Sequence, residues 1–418
     1  MSEFSRYAAS IQAETAFTVL AAARRLKAAG KEVIELEIGD SPFPSTPAAV
    51  AAGLQAMQAG QHHYGPSIGL PEFRRAAADF VRQAYGLDVG PEHVAVAPGA
   101  KPFQLFFCEA LLNPGDGVLV FSPAFPTYVP NIARRGARVW FAPLKQENEF
   151  RPSLADVRHF LDNDPQPKAI FLNSPHNPTG GVAAPEDLEG IANLVRGRGI
   201  YVFSDEPYDR MVWRGRHESI LAQPGMLAQG MAAYTFSKSY SMSGWRLGFA
   251  VSDPPLAEMV GKLVNTTLSC VPPFVQLAGL AALERDQEER DRRMAYFRAS
   301  VERLVAGLNA VPRVRCLMPA GTFYVFPSVA EICNRHGITS HGLAMYLLEG
   351  ADDTRGVACL GGECFGEAGA GFLRFSCAEP PEKLDQAVAF FAEAIERGDR
   401  VSKYLAERPA YRLAEPYA

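Results

Sequence analysis

Lys238 lies in YTFSKSYSMSGWRLG, residues 234–248, inside a hydroxyl-rich turn between two short apolar runs. A lysine amine drawn partly out of water suits an imine to a carbonyl-bearing cofactor. Arg246, eight residues on, could hold an anionic group of the same ligand. Taken by themselves the two also describe an ordinary loop lysine and its neighbour. Asp205, in SDEPY, ends an apolar run, where a carboxylate needs a cationic or hydrogen-bonding partner, or else caps the next turn. Tyr208 follows three residues later, and Asn177 sits in NSPHNPTG, which is also a β-turn sequence. Gly99-Ala100-Lys101 joins the strand-like HVAVAP to a helix-like segment with Pro102 in its first turn. Such a turn offers unpaired backbone N–H groups to phosphate, and is also a common plain strand-to-helix connection. Arg374, in FLRFS, carries a fork suited to a carboxylate or serves a surface.

The elements that must position these groups read as alternating strands and helices. Short runs rich in Val, Ile and Phe fall at residues 117–121, 138–142, 168–173, 200–204, 231–236 and 247–251, after HVAVAP. Near-continuous apolarity predicts strands covered on both faces, hence an α/β fold with a mostly parallel central sheet under helices. Ligands of such sheets bind beyond the carboxyl ends of the strands. Gly99, Phe125, Asn177, Asp205 and Lys238 all fall at or just after such ends. Ahead of the sheet, residues 17–30 read as an amphipathic helix stopped by glycine, 33–38 as a strand, and GDSPFPSTP as a loop. Helices are expected from Pro47 and Pro71, and through most of 254–310. Strand-like VRCLMP and FYVFP, a helix near 341–349, a glycine-rich loop at 360–371, the strand FLRFSCA and a helix at 383–397 complete an α+β pattern. The expected division is a large domain over 48–310, a smaller one from 1–47 plus 311–401, and an appended tail, 402–418.

The composition excludes several classes. Net charge is -5 from 41 basic and 46 acidic residues without a basic stripe, so nucleic acid is not expected as a partner. The first residues lack the pattern of a signal peptide and no apolar run reaches bilayer length, so no membrane is expected. Seven scattered cysteines match no zinc or redox spacing, and with eight histidines they suggest no metal site and a reducing, cytoplasmic setting.

The motifs YGPSIGLPEFR, GAK, SPAFPTY, NSPHNPTG, SDEPYDR, TFSKSYSMSGWRLGF, PAGTFYVF and LRFSCA run through nearly the whole chain. Their order resembles the class I/II aminotransferases, fold-type I enzymes that use pyridoxal 5'-phosphate, and in particular the aspartate type. The resemblance implies that Lys238 forms the Schiff base with the cofactor and moves a proton at the substrate Cα. It implies that Asp205 binds the pyridine nitrogen, Tyr208 and Asn177 the ring oxygen, and Phe125 the ring face, where the aspartate type usually has tryptophan. Thr235, Ser237 and Arg246, with the backbone at Gly99 and Ala100, would hold the phosphate. Tyr64 would reach the phosphate of a neighbouring subunit, which makes a homodimer with a shared site. Arg374 and Gly39 would bind the substrate α-carboxylate. Lys101 would either add to the positive field at the phosphate or meet the side chain of an acidic substrate, a mild vote for aspartate or glutamate.

The activity so implied is ping-pong transfer of an amino group between an L-amino acid and a 2-oxo acid. The same lysine would also serve a β-lyase, a cyclising or decarboxylating enzyme, or an aromatic or alanine aminotransferase. A metabolite-sensing regulator on this fold would be expected to carry a DNA-binding domain. The T-x-x-K at Thr235–Lys238 lacks the companion motifs of a serine hydrolase, and GEAGAG at 366–371 precedes a strand, unlike a dinucleotide loop.

Overall fold

The computed structural model describes residues 4–11 and 13–417. Residues 1–3 and 12 of the expected small domain, and residue 418 of the tail, lie outside the described residues. Strand β1 (Glu32–Glu35) precedes a run of seven strands that form one sheet. These are β2 (Val94–Ala97), β3 (Gly117–Ser122), β4 (Arg138–Pro143), β5 (Pro167–Asn173), β6 (Tyr201–Asp205), β7 (Gly230–Thr235) and β8 (Gly248–Ser252). Their spatial order is β2-β8-β7-β6-β5-β3-β4. All neighbours pair in parallel except β8, which runs antiparallel to both β7 and β2.

Side chains alternate across this sheet, and both faces are covered except along the edge strand β4, whose Phe141 is 52% exposed. Val118, Val120, Phe171 and Phe203 belong to one buried apolar cluster, and Leu119, Phe121, Ile170 and Val202 to another. Burial on both faces is the reason the strands lack an in–out polar alternation. Helices between strands supply the covers, among them Lys101–Leu111 after β2 and Pro185–Val195 after β5. The single antiparallel strand has a local consequence for function. Because β7 and β8 are joined directly, the turn carrying Lys238 and Arg246 is held at the carboxyl end of β7. Asp205 ends β6 at the same edge.

A third cluster draws on residues 19–36 and 294–405, with Tyr208 and Met211. It includes the long helix Gln287–Asn309, which buries Phe297, Val301, Leu304 and Leu308 at helical spacing. Here β1 pairs in parallel with β10 (Arg355–Ala358), while β9 (Tyr324–Val325), β11 (Leu360–Gly361) and β12 (Leu373–Ser376) form a small antiparallel sheet.

Two stretches differ from the expectation. VRCLMP is no strand, apart from one isolated bridge between Arg315 and Ser328. The Asn309 side chain binds both the N–H and the carbonyl of Cys316 at 2.9 Å, satisfying backbone groups that a ladder would otherwise use. The C-terminal residues, for which composition gave no reading, include the helix Gly398–Glu407, whose Val401, Tyr404 and Leu405 are buried in the third cluster. Tyr417 anchors the end by donating a hydrogen bond to Glu363.

Candidate active site

At the carboxyl edge of the large sheet, side chains from the strand ends, from the amino-terminal segment and from β9 and β12 enclose a cavity of about 420 Å³. Its floor is Asp205, 4% exposed. The Oδ2 atom accepts hydrogen bonds from the Tyr128 hydroxyl at 2.6 Å and from Gln104 Nε2 at 3.3 Å. Oδ1 has no partner among the described residues. Burial raises the Asp205 pKa to about 6, against the two hydrogen bonds, which lower it. A buried carboxylate oxygen left without a donor is costly, so a ligand N–H at this point would satisfy it.

The wall beside Asp205 is built by a second asparagine. Asn173, the last residue of β5, donates to the carbonyl of Asp205 at 2.7 Å and accepts from the Asn177 N–H at 2.9 Å. This fixes the following turn and leaves the Asn177 side chain facing the cavity, where its Oδ1 accepts from Arg374 Nη1 at 2.9 Å. Arg374, on β12, is 3% exposed and also donates to the backbone carbonyl of Glu37. Its guanidinium lies 4.3 Å from the centre of the Tyr324 ring and 5.0 Å from that of Phe365. The Tyr208 and Tyr324 hydroxyls are 3.2 Å apart, and burial pushes the Tyr208 phenol well up from its ordinary pKa.

Lys238 projects between these groups. Its Nζ donates to the carbonyl of Gly39 at 2.5 Å and lies within 6 Å of the Tyr208 and Phe323 ring centres, at 5.9 and 5.8 Å. Gly39 has to be glycine for a reason of space: a Cβ there would sit 1.6 Å from the Tyr324 hydroxyl. The polar corner beside Lys238 holds Thr235 and Ser237, with hydroxyls 2.9 Å apart, and Arg246. The Arg246 guanidinium is steadied by the carbonyls of Ser243 and Pro98 at 2.8 and 2.9 Å, from a left-handed backbone with φ of 57°. Gly99, itself at φ of 89°, lets that guanidinium approach, since a Cβ would meet Nη2 at 2.6 Å. Ala100 and Lys101 open the helix Lys101–Leu111 at the same corner.

Of the residues singled out in the sequence, Gly39, Ala100, Lys101, Phe125, Asn177, Asp205, Tyr208, Thr235, Ser237, Lys238, Arg246 and Arg374 line one cavity. Gly99 stands directly behind Arg246. Tyr64 is outside it and 89% exposed. Sequence reasoning missed Gln104, Tyr128, Asn173, Tyr324 and Glu14. Tyr128 and Tyr324 stand inside SPAFPTY and PAGTFYVF, and Gln104 follows Lys101 by nearly one helical turn, so spacing could have found them. Nothing in the sequence marks Glu14.

The family described as aminotransferase class I and II matches residues 31–391. The chain belongs to that family. An aspartate aminotransferase of Pyrococcus abyssi is 32% identical over 389 residues, covering 90% of this chain and 93% of that protein. An arginine–pyruvate transaminase of Pseudomonas aeruginosa is 32% identical over 358 residues, covering 86% and 88%. The solved structure of aspartate aminotransferase from Thermus thermophilus with maleate superposes with a TM-score of 0.87 at 29% identity, covering 94% of this chain and all of that one. The protein is thus a fold-type I aminotransferase that works with pyridoxal 5'-phosphate. The cavity fits that group. It offers an amine, an orphaned carboxylate oxygen for a ring N–H, and a corner of hydroxyls, guanidinium and helix N-terminus for a phosphate. Among the described residues no helix is long and apolar enough to cross a membrane, and no group of His, Cys, Asp and Glu is arranged to hold a metal.

Proposed function

We infer that this aminotransferase transfers the amino group of an L-amino acid to a 2-oxo acid in a ping-pong cycle centred on Lys238. The observation that carries this reading is the meeting, in one cavity, of the Lys238 amine, the unpartnered Asp205 oxygen and the buried Arg374 fork. When bound, pyridoxal 5'-phosphate supplies an aldehyde carbon that takes up and gives back the amino group, and a ring that accepts electrons from the substrate Cα. Lys238 holds the cofactor through its amine and, once free, carries the proton to and from Cα. Asp205 keeps the ring nitrogen protonated, and Tyr208 and Asn177 hydrogen-bond the ring oxygen. Phe125 covers the ring face. Thr235, Ser237, Arg246, Lys101 and the backbone of Gly99 and Ala100 neutralise the phosphate. Arg374 grips the substrate α-carboxylate beside Gly39. Lys101, together with relatives named aspartate aminotransferase, supports aspartate or glutamate among the substrates.

The residues over 48–310 would carry the cofactor, those of 1–47 and 311–401 the carboxylate clamp, and 402–418 an appended tail that docks on the latter. Tyr64, almost fully exposed, together with the exposed Leu54 and Met57, supports a homodimer in which Tyr64 reaches the partner's phosphate site. Seven free cysteines support a reducing, cytoplasmic setting. The reaction is tested by mixing cofactor-loaded protein with single amino acids. Transamination yields pyridoxamine phosphate and a 2-oxo acid in equal amounts. Release of the Cβ substituent with ammonia and a 2-oxo acid, or of carbon dioxide and an amine, with the cofactor unchanged, would favour the β-lyase or decarboxylase reading instead.

A further inference from the structure

Lys101 already has a carboxylate. Glu14 approaches the cavity from the amino-terminal segment, and its Oε1 forms an ion pair with Lys101 Nζ. The Glu14 side chain is 19% exposed and that of Lys101 45%. Glu14 is the residue before the helix Thr15–Ala28, the place where a short polar side chain ordinarily caps. It makes no capping bond there, and reaches across to the first residue of the helix Lys101–Leu111. Both partners, and Phe17 beside them, line the cavity. Lys101 also stands over the Phe125 ring, 5.3 Å from its centre.

We propose that Glu14 is a specificity-determining residue, an internal carboxylate that competes with the side-chain carboxylate of an acidic substrate for Lys101. This rests on the aminotransferase reading above and deepens it. With the pair closed, the outer part of the cavity is near neutral and takes an uncharged side chain with no charge to displace. A dicarboxylic substrate has to part Glu14 from Lys101, and then leaves the Glu14 carboxylate close to its own. The pair is partly exposed, so the handicap is modest and an acidic substrate still binds.

The test is equilibrium binding of maleate and of propionate to the cofactor-loaded protein, read by calorimetry, in the wild type, Glu14→Gln, Lys101→Met and the double variant. Glu14→Gln should tighten maleate roughly three- to tenfold relative to propionate, the size expected for removing one half-exposed competing charge. In the Lys101→Met background that gain should shrink, because the contested cation is gone and only the repulsion between the two carboxylates is left to relieve. Glu14→Asp, whose carboxylate is one methylene shorter, should give an intermediate ratio and keeps the test open if Glu14→Gln does not fold. An unchanged maleate-to-propionate ratio in Glu14→Gln would overturn the proposal. So would an equal loss of both ligands, or a gain undiminished in the Lys101→Met background. Failure of the aminotransferase reading is distinct: no amino acid would then convert the cofactor in any variant.

Discussion

The floor and the rim of the cavity are built on opposite terms. The floor belongs to the seven-stranded sheet, where Asp205, Asn173 and Thr235 end strands and are fixed by neighbours in adjacent strands or helices. Its one defect, the unpartnered Asp205 oxygen, is the feature that a cofactor N–H would complete. The rim is assembled from segments far apart in sequence: Glu14, Gly39, Lys101, Tyr324 and Arg374. Its charges are settled by contacts between distant segments, such as Arg374 on Asn177 and Lys101 on Glu14. On the proposed function, the floor would fix the kind of chemistry and the rim which substrate receives it. That division follows from rigidity, since strand ends in a sheet covered on both faces hold a geometry that long side chains crossing a cleft cannot.

The sharpest way to break this division is to neutralise the floor. Asp205→Asn should lower the transamination rate about a hundred- to thousandfold, because the ring would lose the charge that keeps its nitrogen protonated. The same substitution should stabilise the cofactor-free protein. A carboxyl whose pKa rises on folding, here to about 6, contributes its full stability only below its unfolded value of 3.8 and loses it as pH climbs through 6. Thermal unfolding of the empty protein at pH 4 and pH 8 should show the variant gaining on the wild type only at the higher pH.

On the rim, Arg374→Lys should reduce kcat/KM about a hundredfold for every amino acid, mainly through KM, since a lysine cannot replace the fork. An effect confined to kcat would place Arg374 with the chemistry and blur the contrast.

Beneath Arg374 lies Glu37, fully buried, with both carboxylate oxygens unpartnered among the described residues. Burial pushes its pKa up to about 7 from 4.5. Its contribution is whole below pH 4.5 and is lost as pH rises through 7. Glu37→Gln should thus leave stability at pH 4 nearly unchanged and raise it at pH 8 by up to about 3 kcal/mol, read by denaturant unfolding. Tyr64→Phe carries the smallest expected effect, a rise of about fivefold in the cofactor dissociation constant, the scale of one net hydrogen bond. Full retention of cofactor affinity would remove Tyr64 from the site.

The floor was legible in the sequence because strand ends announce themselves: an apolar run stops, and the next polar residue lies at the sheet edge. Asp205 ends its strand and Asn177 and Lys238 follow theirs within a few residues, while Asn173 at the very end of β5 went unmarked; the motifs around them carried the family. The helix Pro47–Gln58 was equally plain from its proline at the first turn. Glu14 was not legible, because the contact that gives it meaning spans 87 positions and depends on how distant segments pack. VRCLMP read as a strand because a short apolar run says nothing of the Asn309 side chain that takes its hydrogen bonds. The sequence marks Gly39 for a substrate's approach but says nothing of the Tyr324 hydroxyl that leaves no room for a Cβ there.

The central claim, that one amine holds the cofactor, is tested most directly by reducing the loaded protein with borohydride, digesting it and sequencing the modified peptide. The account predicts a phosphopyridoxyl group on Lys238 and on no other lysine. Its absence from Lys238, or its appearance elsewhere, would contradict it.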